Sequence, residues 1–185
     1  MIFFSIIILF FLFYFASYFL QVPTITITQS FNQSVCPPQY DQDQFKKGQE
    51  VLIHNSASVR LAIKTGITIA TGTDCPGNCA MVGQEINYLK DYFGMSELEA
   101  IQAGTAHGPL TLGKLAPFSG QLAAGYVADI LVLNNNPLEK LAILKDPDEI
   151  THVFKAGKLL KSPQNELCLN VATNPPDMMW MPKDL

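Results

Sequence analysis

The hydrophobic and polar positions of the chain follow three different patterns. Residues 1–21 are almost wholly apolar, and no Asp, Glu, Lys, Arg or His precedes Asp41. Residues 22–115 show the alternating and helical spacings of strands and helices. Residues 116–185 consist of short β-like segments separated by glycine and then an irregular end. The pattern predicts a hydrophobic first segment, a mixed α/β part and a smaller β part.

A strand, a helix and a second strand are predicted at the start of the mixed part. Residues 22–28 alternate apolar side chains with threonine, which is typical of a short strand. Residues 45–64 carry apolar side chains at helical spacing and end before Gly66, a helix-stopping glycine. Residues 67–73 form a β-branched run without alternation, which indicates a strand buried on both faces. This order predicts one βαβ unit with parallel strands.

Asp74 is the candidate catalytic residue because it directly follows the second predicted strand. In open α/β sheets and in (β/α) barrels the carboxyl ends of the strands carry the chemistry. The same position suits a turn former or a helix N-cap, and the surrounding Thr-Gly-Thr-Asp-Cys-Pro-Gly run is rich in turn residues. The residues alone therefore leave a catalytic and a structural interpretation open.

Further elements are predicted downstream of Asp74. Residues 84–93 have the pattern of a helix, and Ser96 with Glu99 forms a capping box for the next one. Residues 128–133 are a good strand, and residues 151–161 predict a hairpin that turns at Ala156-Gly157. The β elements therefore follow the helices along the chain.

The first segment, Met1–Leu20, is long enough to cross a hydrocarbon core of about 30 Å as a helix. It lacks the basic n-region and the cleavage site of a signal peptide. Three interpretations remain open: a membrane anchor, an unusual signal peptide, or a mispredicted gene start. The first two predict a membrane-anchored or secreted protein, and the third predicts a cytoplasmic one.

Charge and cysteine content narrow the classes of partner. The chain has a net charge of −4 and a pI near 5.3, so its overall charge gives no sign of the basic surface that nucleic-acid binding requires. The cysteines could pair if the chain were exported. A zinc site built on Cys75 and Cys79 would need two further ligands, and no second Cys or His pair lies nearby. We therefore expect ordinary loop cysteines at Cys36, Cys75, Cys79 and Cys168.

An ordered series of short motifs carries a resemblance to a known family. The series resembles the C-terminal part of the metal-dependent amidohydrolases, especially the imidazolonepropionase-like and prolidase-type members, and it extends over about Val22 to Lys161. The motifs are Thr71-Gly72-Thr73-Asp74, Glu99-Ala100-Ile101, Thr105, Leu112-Gly113, Gly120-x-Leu-x-x-Gly125-x-x-Ala128-Asp129-Ile130, Asn136-Pro137-Leu138 and Val153-x-x-x-Gly157-Lys158.

The resemblance implies a fold and a reaction. The fold would be the C-terminal portion of a (β/α)8 barrel, with residues 22–28 and 67–73 as its seventh and eighth strands. Residues 116–161 would form part of a small β-sandwich. The reaction would be hydrolysis of a carbon–nitrogen bond, other than an ordinary peptide bond, in a small-molecule substrate. Asp74 would ligate a divalent metal, zinc by resemblance, and accept a proton from the attacking water, whose pKa the metal lowers to about 7.

The sequence also departs from the family pattern. The His-x-His of the first barrel strand, the lysine in the middle of the barrel and the later metal-binding histidines are absent. None of His54, His107 and His152 is predicted at the carboxyl end of a strand, so we expect packing or surface roles for them. The barrel is therefore predicted to be incomplete, and the chain to be partial or completed by an oligomer partner or complementing polypeptide. The alternative is a non-catalytic, membrane-anchored scaffold of the same fold.

Overall fold

A computed structural model describes residues 19–29, 31, 41–74 and 82–163. Within these residues, two short strands and four α-helices come first, and an antiparallel sheet follows. In chain order the elements are β1 (Leu20–Gln21), α1 (Ile25–Gln29), α2 (Gln42–Lys64), β2 (Thr68–Ile69), α3 (Val82–Phe93), α4 (Glu97–Gly104), β3 (Ile130–Leu133), β4 (Ile150–Lys155) and β5 (Lys158–Lys161), with 3₁₀ helices at Pro109–Leu115, Leu141–Lys145 and Pro147–Glu149.

The predicted parallel pairing of two strands across the long helix is confirmed, but the first of these strands is Leu20–Gln21. β1 and β2 run parallel, with Leu20 beside Thr68 and Gln21 beside Ile69. The amide of Ala70 donates to the carbonyl of Gln21 at 2.9 Å and extends the pairing past β2. The two strands are joined through the long helix α2, which gives the crossover that parallel pairing requires.

The predicted strand at residues 22–28 is wrong. The strand ends at Gln21, and Ile25–Gln29 is the short helix α1. Pro23 has no amide hydrogen with which to extend the ladder. The buried amides of Ile25 and Thr26 donate to the carboxylate of Glu85 and not to a neighbouring strand. A tertiary contact therefore overrides the β propensity of the Ile-Thr alternation.

Helix boundaries follow from their caps. α2 begins at Gln42, earlier than predicted, because Asp41 caps it by accepting from the Gln44 amide at 2.7 Å. Gly66 stops the helix with φ +74°, as predicted. α3 and α4 also match their predictions, and the Ser96 amide donates to Glu99 Oε2 at 2.8 Å in the predicted capping box.

We expect Ser96→Ala to lower the free energy of unfolding by about 1 kcal/mol. The substitution removes the hydroxyl that accepts from the Glu99 amide and donates to the Glu99 carboxylate. Urea unfolding followed by far-UV circular dichroism measures the change. Ser119→Ala is the control, because Ser119 lies outside any helix. Equal midpoints for the two variants would contradict a stabilising role for the cap.

The predicted hairpin is confirmed and belongs to an antiparallel sheet. In the described part of the chain the strand order is β3-β4-β5, with Ile130 beside Phe154 and Lys155 beside Lys158. Ala156 and Gly157 both have positive φ, +50° and +78°, as a two-residue turn between twisted strands requires.

One hydrophobic core joins the helices to β2 and to the segment between β3 and β4. Leu89 of α3 is 0% exposed and belongs to the same cluster as Leu141. The 3₁₀ helix Leu141–Lys145 packs on α3, where the side-chain amide of Asn87 donates to the Leu141 carbonyl at 3.3 Å. The other members of the cluster are Ile25, Ala62, Ile69, Ile86, Ala100 and Ala103.

Two predictions fall mainly on residues outside the described part. Of the segment Met1–Leu20 only Phe19 and Leu20 are described, and Leu20 lies in β1. Over the ranges described, the chain contains no helix with the length and hydrophobicity needed to cross a membrane. The predictions for Cys36, Cys75, Cys79 and Cys168 also lie outside the described residues.

Candidate active site at the exit of β2

The strand predicted at residues 67–73 is shorter than expected: β2 covers only Thr68–Ile69, and Asp74 follows its carboxyl end after four residues outside the strand. The chain passes from buried Ile69 and Ala70 through half-buried Thr71–Thr73 to an exposed Asp74. Asp74 adopts φ +46°, a left-handed conformation that aspartate tolerates better than most residues. Residues 75–81, which follow Asp74, lie outside the described residues, and α3 begins at Val82. Whether Asp74 binds a metal or acts as a base stays a prediction.

The exits of β1 and β2 run side by side. A Cβ atom added to Gly72 would lie 2.7 Å from Cγ1 of Val22 and 3.9 Å from Cγ2 of Thr24. The first distance is shorter than real Cβ contacts, so a side chain at residue 72 would require the Val22 side chain to move. Thr24 also has a left-handed φ, +47°. The two strand exits therefore constrain each other's paths just before Asp74.

The other edge of β2 is covered by the end of α4 and by His107. Ala70 directs its amide toward β1, so Ile69 and Thr71 face the opposite edge. There the Thr71 amide donates to the Ala103 carbonyl at 3.1 Å, and His107 Nδ1 lies 2.7 Å from the Ile69 carbonyl. A carbonyl oxygen only accepts, so Nδ1 carries the proton. His107 thus donates a hydrogen bond to a backbone carbonyl at the edge of β2.

The other two histidines lie on α2 and β4. His54 is exposed on α2. His152 lies on β4, where its ring stacks on Phe154 with centroids 6.4 Å apart. No group of three or more His, Cys, Asp or Glu side chains among the described residues could hold a metal ion. A catalytic zinc normally takes three protein ligands. The donors of the described part therefore do not fit a complete zinc site.

Glu85 is a buried polar residue near the strand exits that was not predicted from the sequence. Its side chain is 0% exposed, and Oε2 accepts from the Ile25 amide at 3.1 Å while Oε1 accepts from the Thr26 amide. Burial raises the pKa of the Glu85 carboxyl above its ordinary value, against the opposing effect of the hydrogen bonds from Thr26 and Ile25. A signal existed: Glu85 stands four residues before Leu89 and so occupies the apolar face of the helix.

A groove separate from Asp74 lies between α4 and β3. It has a volume of 590 Å³ and is mainly apolar, and Asp74 is not among its lining residues. Leu98 and Ile101 contribute from α4, and Ile130 and Leu131 contribute from β3. Among the described residues, the groove and Asp74 therefore lie in separate places.

Comparison with known proteins identifies relatives of this arrangement. The sequence profile of the Amidohydrolase family matches residues 17–160. Ochratoxinase of Aspergillus niger is 48% identical over 103 residues, which are 55% of this chain and 21% of that protein. Imidazolonepropionase of Rubrobacter xylanophilus is 35% identical over 104 residues, 55% of this chain and 25% of that protein. The chain thus aligns with about a fifth to a quarter of these relatives' length.

Solved structures extend the likeness to the fold. The crystal structure of A. niger ochratoxinase matches with a TM-score of 0.68 and 38% identity, over 80% of this chain and 33% of that one. A Xaa-Pro dipeptidase with methionine bound in its active site matches with a TM-score of 0.66 and 26% identity, over 77% and 34%. The mixed α/β fold is therefore that of an amidohydrolase, and the chain belongs to the amidohydrolase family.

Proposed function

We propose that this chain contributes part of the active site of a hydrolase that cleaves a carbon–nitrogen bond, other than an ordinary peptide bond, in a small molecule. The observation that carries the proposal is the position of Asp74, at the carboxyl end of a strand that pairs in parallel, in a chain of the amidohydrolase family. Carboxyl ends of parallel strands are where such folds place their reactive groups. The relatives' names, ochratoxinase, imidazolonepropionase and Xaa-Pro dipeptidase, supply the substrate classes to test.

The proposal assigns the place of the strands in a larger fold. β1 and β2 are the seventh and eighth strands of a (β/α)8 barrel, and β3, β4 and β5 belong to its small β-sandwich. β1 pairs only with β2 among the described residues, so its other edge is open to a further strand. Additional barrel strands from other polypeptide, a complementing chain or the remainder of a longer one, would pair there.

Asp74 has two proposed roles. It serves as one ligand of a divalent metal, with zinc proposed by family resemblance, and it accepts a proton from the water that attacks the substrate. A bound zinc would supply Lewis acidity. The described residues do not complete a zinc site, so we assign no step to a metal held by this part of the chain alone. The exposed carboxylate of Asp74 is accessible to both a water molecule and ligands from other polypeptide.

We expect Asp74→Ala to lower hydrolysis by about a thousandfold, because loss of a base alone costs a factor of roughly 10² to 10⁴. The protein is purified with any polypeptide that associates with it. Hydrolysis is measured on ochratoxin, a Xaa-Pro dipeptide and an imidazolone acid, and zinc by atomic emission. Asp91→Ala is the matched control, since Asp91 is an exposed aspartate on α3. Absence of both zinc and hydrolysis in the unaltered protein would favour the non-catalytic scaffold.

A further inference from the structure

We propose that Glu85 is a positioning residue: its buried carboxylate fixes the segment that follows β1, against which the chain leading to Asp74 rests. The importance of that placement for catalysis rests on the function proposed for Asp74. The series of contacts that links Glu85 to Gly72 does not depend on any reaction.

The first contact is between α3 and the start of α1. Both carboxylate oxygens of Glu85 are used, Oε2 by the Ile25 amide at 3.1 Å and Oε1 by the Thr26 amide. Ile25 is 1% exposed and Thr26 is 9% exposed, so water cannot readily replace the carboxylate. A buried amide without an acceptor lowers the stability of the fold, and the single carboxylate of Glu85 provides acceptors for two such amides. Glu85 lies 60 residues from Ile25 in sequence, so the bond joins two distant elements.

A second contact holds the same segment from the side of α2. The side-chain amide of Asn55 donates to the Pro23 carbonyl at 2.9 Å and to the Thr28 hydroxyl at 3.3 Å. Residues 23–28 are therefore tied to α2 by Asn55 and to α3 by Glu85. Thr24 lies between these ties with φ +47°, a conformation that persists only where the surroundings enforce it.

The third contact reaches the strand that leads to Asp74. The side chain of Val22, which immediately precedes residues 23–28, approaches Gly72 so closely that a Cβ there would lie 2.7 Å from Val22 Cγ1. Asp74 follows two residues later with a left-handed φ of +46°. A displacement of residues 22–26 would therefore change the space available at Gly72 and the direction in which Asp74 leaves the strand.

Variants of Glu85 test this chain of contacts without any assay of hydrolysis. Two-dimensional ¹H–¹⁵N spectra and amide hydrogen exchange are recorded on the full chain with Glu85→Gln and Glu85→Ala. Glu50→Gln is the matched control, because Glu50 is exposed on α2. In Glu85→Ala we expect the Ile25 and Thr26 amides to exchange about tenfold faster. We also expect the Gly72 and Asp74 amide resonances to shift, whereas those of β3, β4 and β5 stay in place.

The conservative variant separates positioning from general destabilisation. Glutamine keeps one acceptor oxygen and turns the other into a donor, so Glu85→Gln should keep the protection of one of the two amides. Its resonances at Gly72 and Asp74 should move less than those of Glu85→Ala, and this variant carries the test if the alanine protein does not fold. Unchanged Gly72 and Asp74 resonances, or uniformly faster exchange across the chain, would overturn the proposal. Shifted resonances in Glu85→Ala, with full hydrolysis in Asp74→Ala, would support the positioning and refute the catalytic role.

Discussion

Gly83→Ala is expected to lower the free energy of unfolding by about 2–3 kcal/mol, at the upper end of the usual cost of overpacking. A Cβ atom at residue 83 would lie 1.9 Å from the carbonyl oxygen of Leu144 and 2.6 Å from its carbonyl carbon. Both atoms are backbone, so no side-chain rotation relieves the contact. Alanine is favoured over glycine inside a helix by about 1 kcal/mol, and the clash has to exceed that gain. The 3₁₀ helix Leu141–Lys145 would have to move away from α3.

Thermal and urea unfolding measure the effect, with Gly108→Ala as the matched control. Gly108 has a right-handed helical backbone, and the nearest atom a Cβ there would meet is the Thr105 carbonyl oxygen at an acceptable 3.4 Å. We expect the control to change stability by no more than about 0.5 kcal/mol. A Gly83→Ala protein as stable as the control would contradict the close packing of α3 against the 3₁₀ helix Leu141–Lys145.

Local signals made most helices predictable. The capping box of Ser96 and the stop at Gly66 act within a few residues, so sequence patterns placed α4 and the end of α2 correctly. The hairpin turn at Ala156-Gly157 is equally local, since positive φ at both positions favours the twist of the strands. These elements depend little on what packs against them, and a reading of adjacent residues is sufficient.

Helix α1 was not predictable from its own residues. Alternating Ile and Thr favours a strand, and the segment becomes helical because Glu85 accepts from its first amides. That acceptor lies 60 residues downstream of Ile25. No window of neighbouring residues contains the information, so the error at residues 22–28 comes from a tertiary contact that overrides local propensity.

In the candidate site, too, some features follow from local sequence and others from tertiary contacts. The β-branched run before Asp74 predicted a strand from sequence, and a strand lies within it, but it is shorter than predicted and covers only Thr68–Ile69. The roles of Glu85 and His107 depend on which distant carbonyl or amide each side chain meets, Ile69 in the case of His107. Such pairings are properties of the packed chain, and only the apolar neighbours of Glu85 on α3 hinted at a buried carboxylate.

Leu89→Ala is expected to lower the free energy of unfolding by about 3–4 kcal/mol, within the usual range for a leucine truncated in a core. Leu89 is 0% exposed and belongs to the cluster that includes Ile25, Ile69 and Leu141. Its loss leaves a cavity between α3, β2 and the segment that joins β3 to β4. Because proteins of this size are marginally stable, such a loss would raise the unfolded population by more than a hundredfold. Leu61→Ala is the control, since Leu61 on α2 is 62% exposed and should change stability by less than about 1 kcal/mol.

A double-mutant cycle with Leu141→Ala extends this prediction to the joining of the two parts of the chain. Leu141 is 2% exposed in the same cluster, so the two truncations enlarge one shared cavity and should not be additive. We expect a coupling of about 0.5–3 kcal/mol, together with a single urea transition followed both by far-UV circular dichroism and by tyrosine fluorescence. Additive losses with two separate transitions would mean that the helices around β2 fold independently of the β3-β4-β5 sheet. In that case the strand exit at Asp74 would owe none of its rigidity to the C-terminal part.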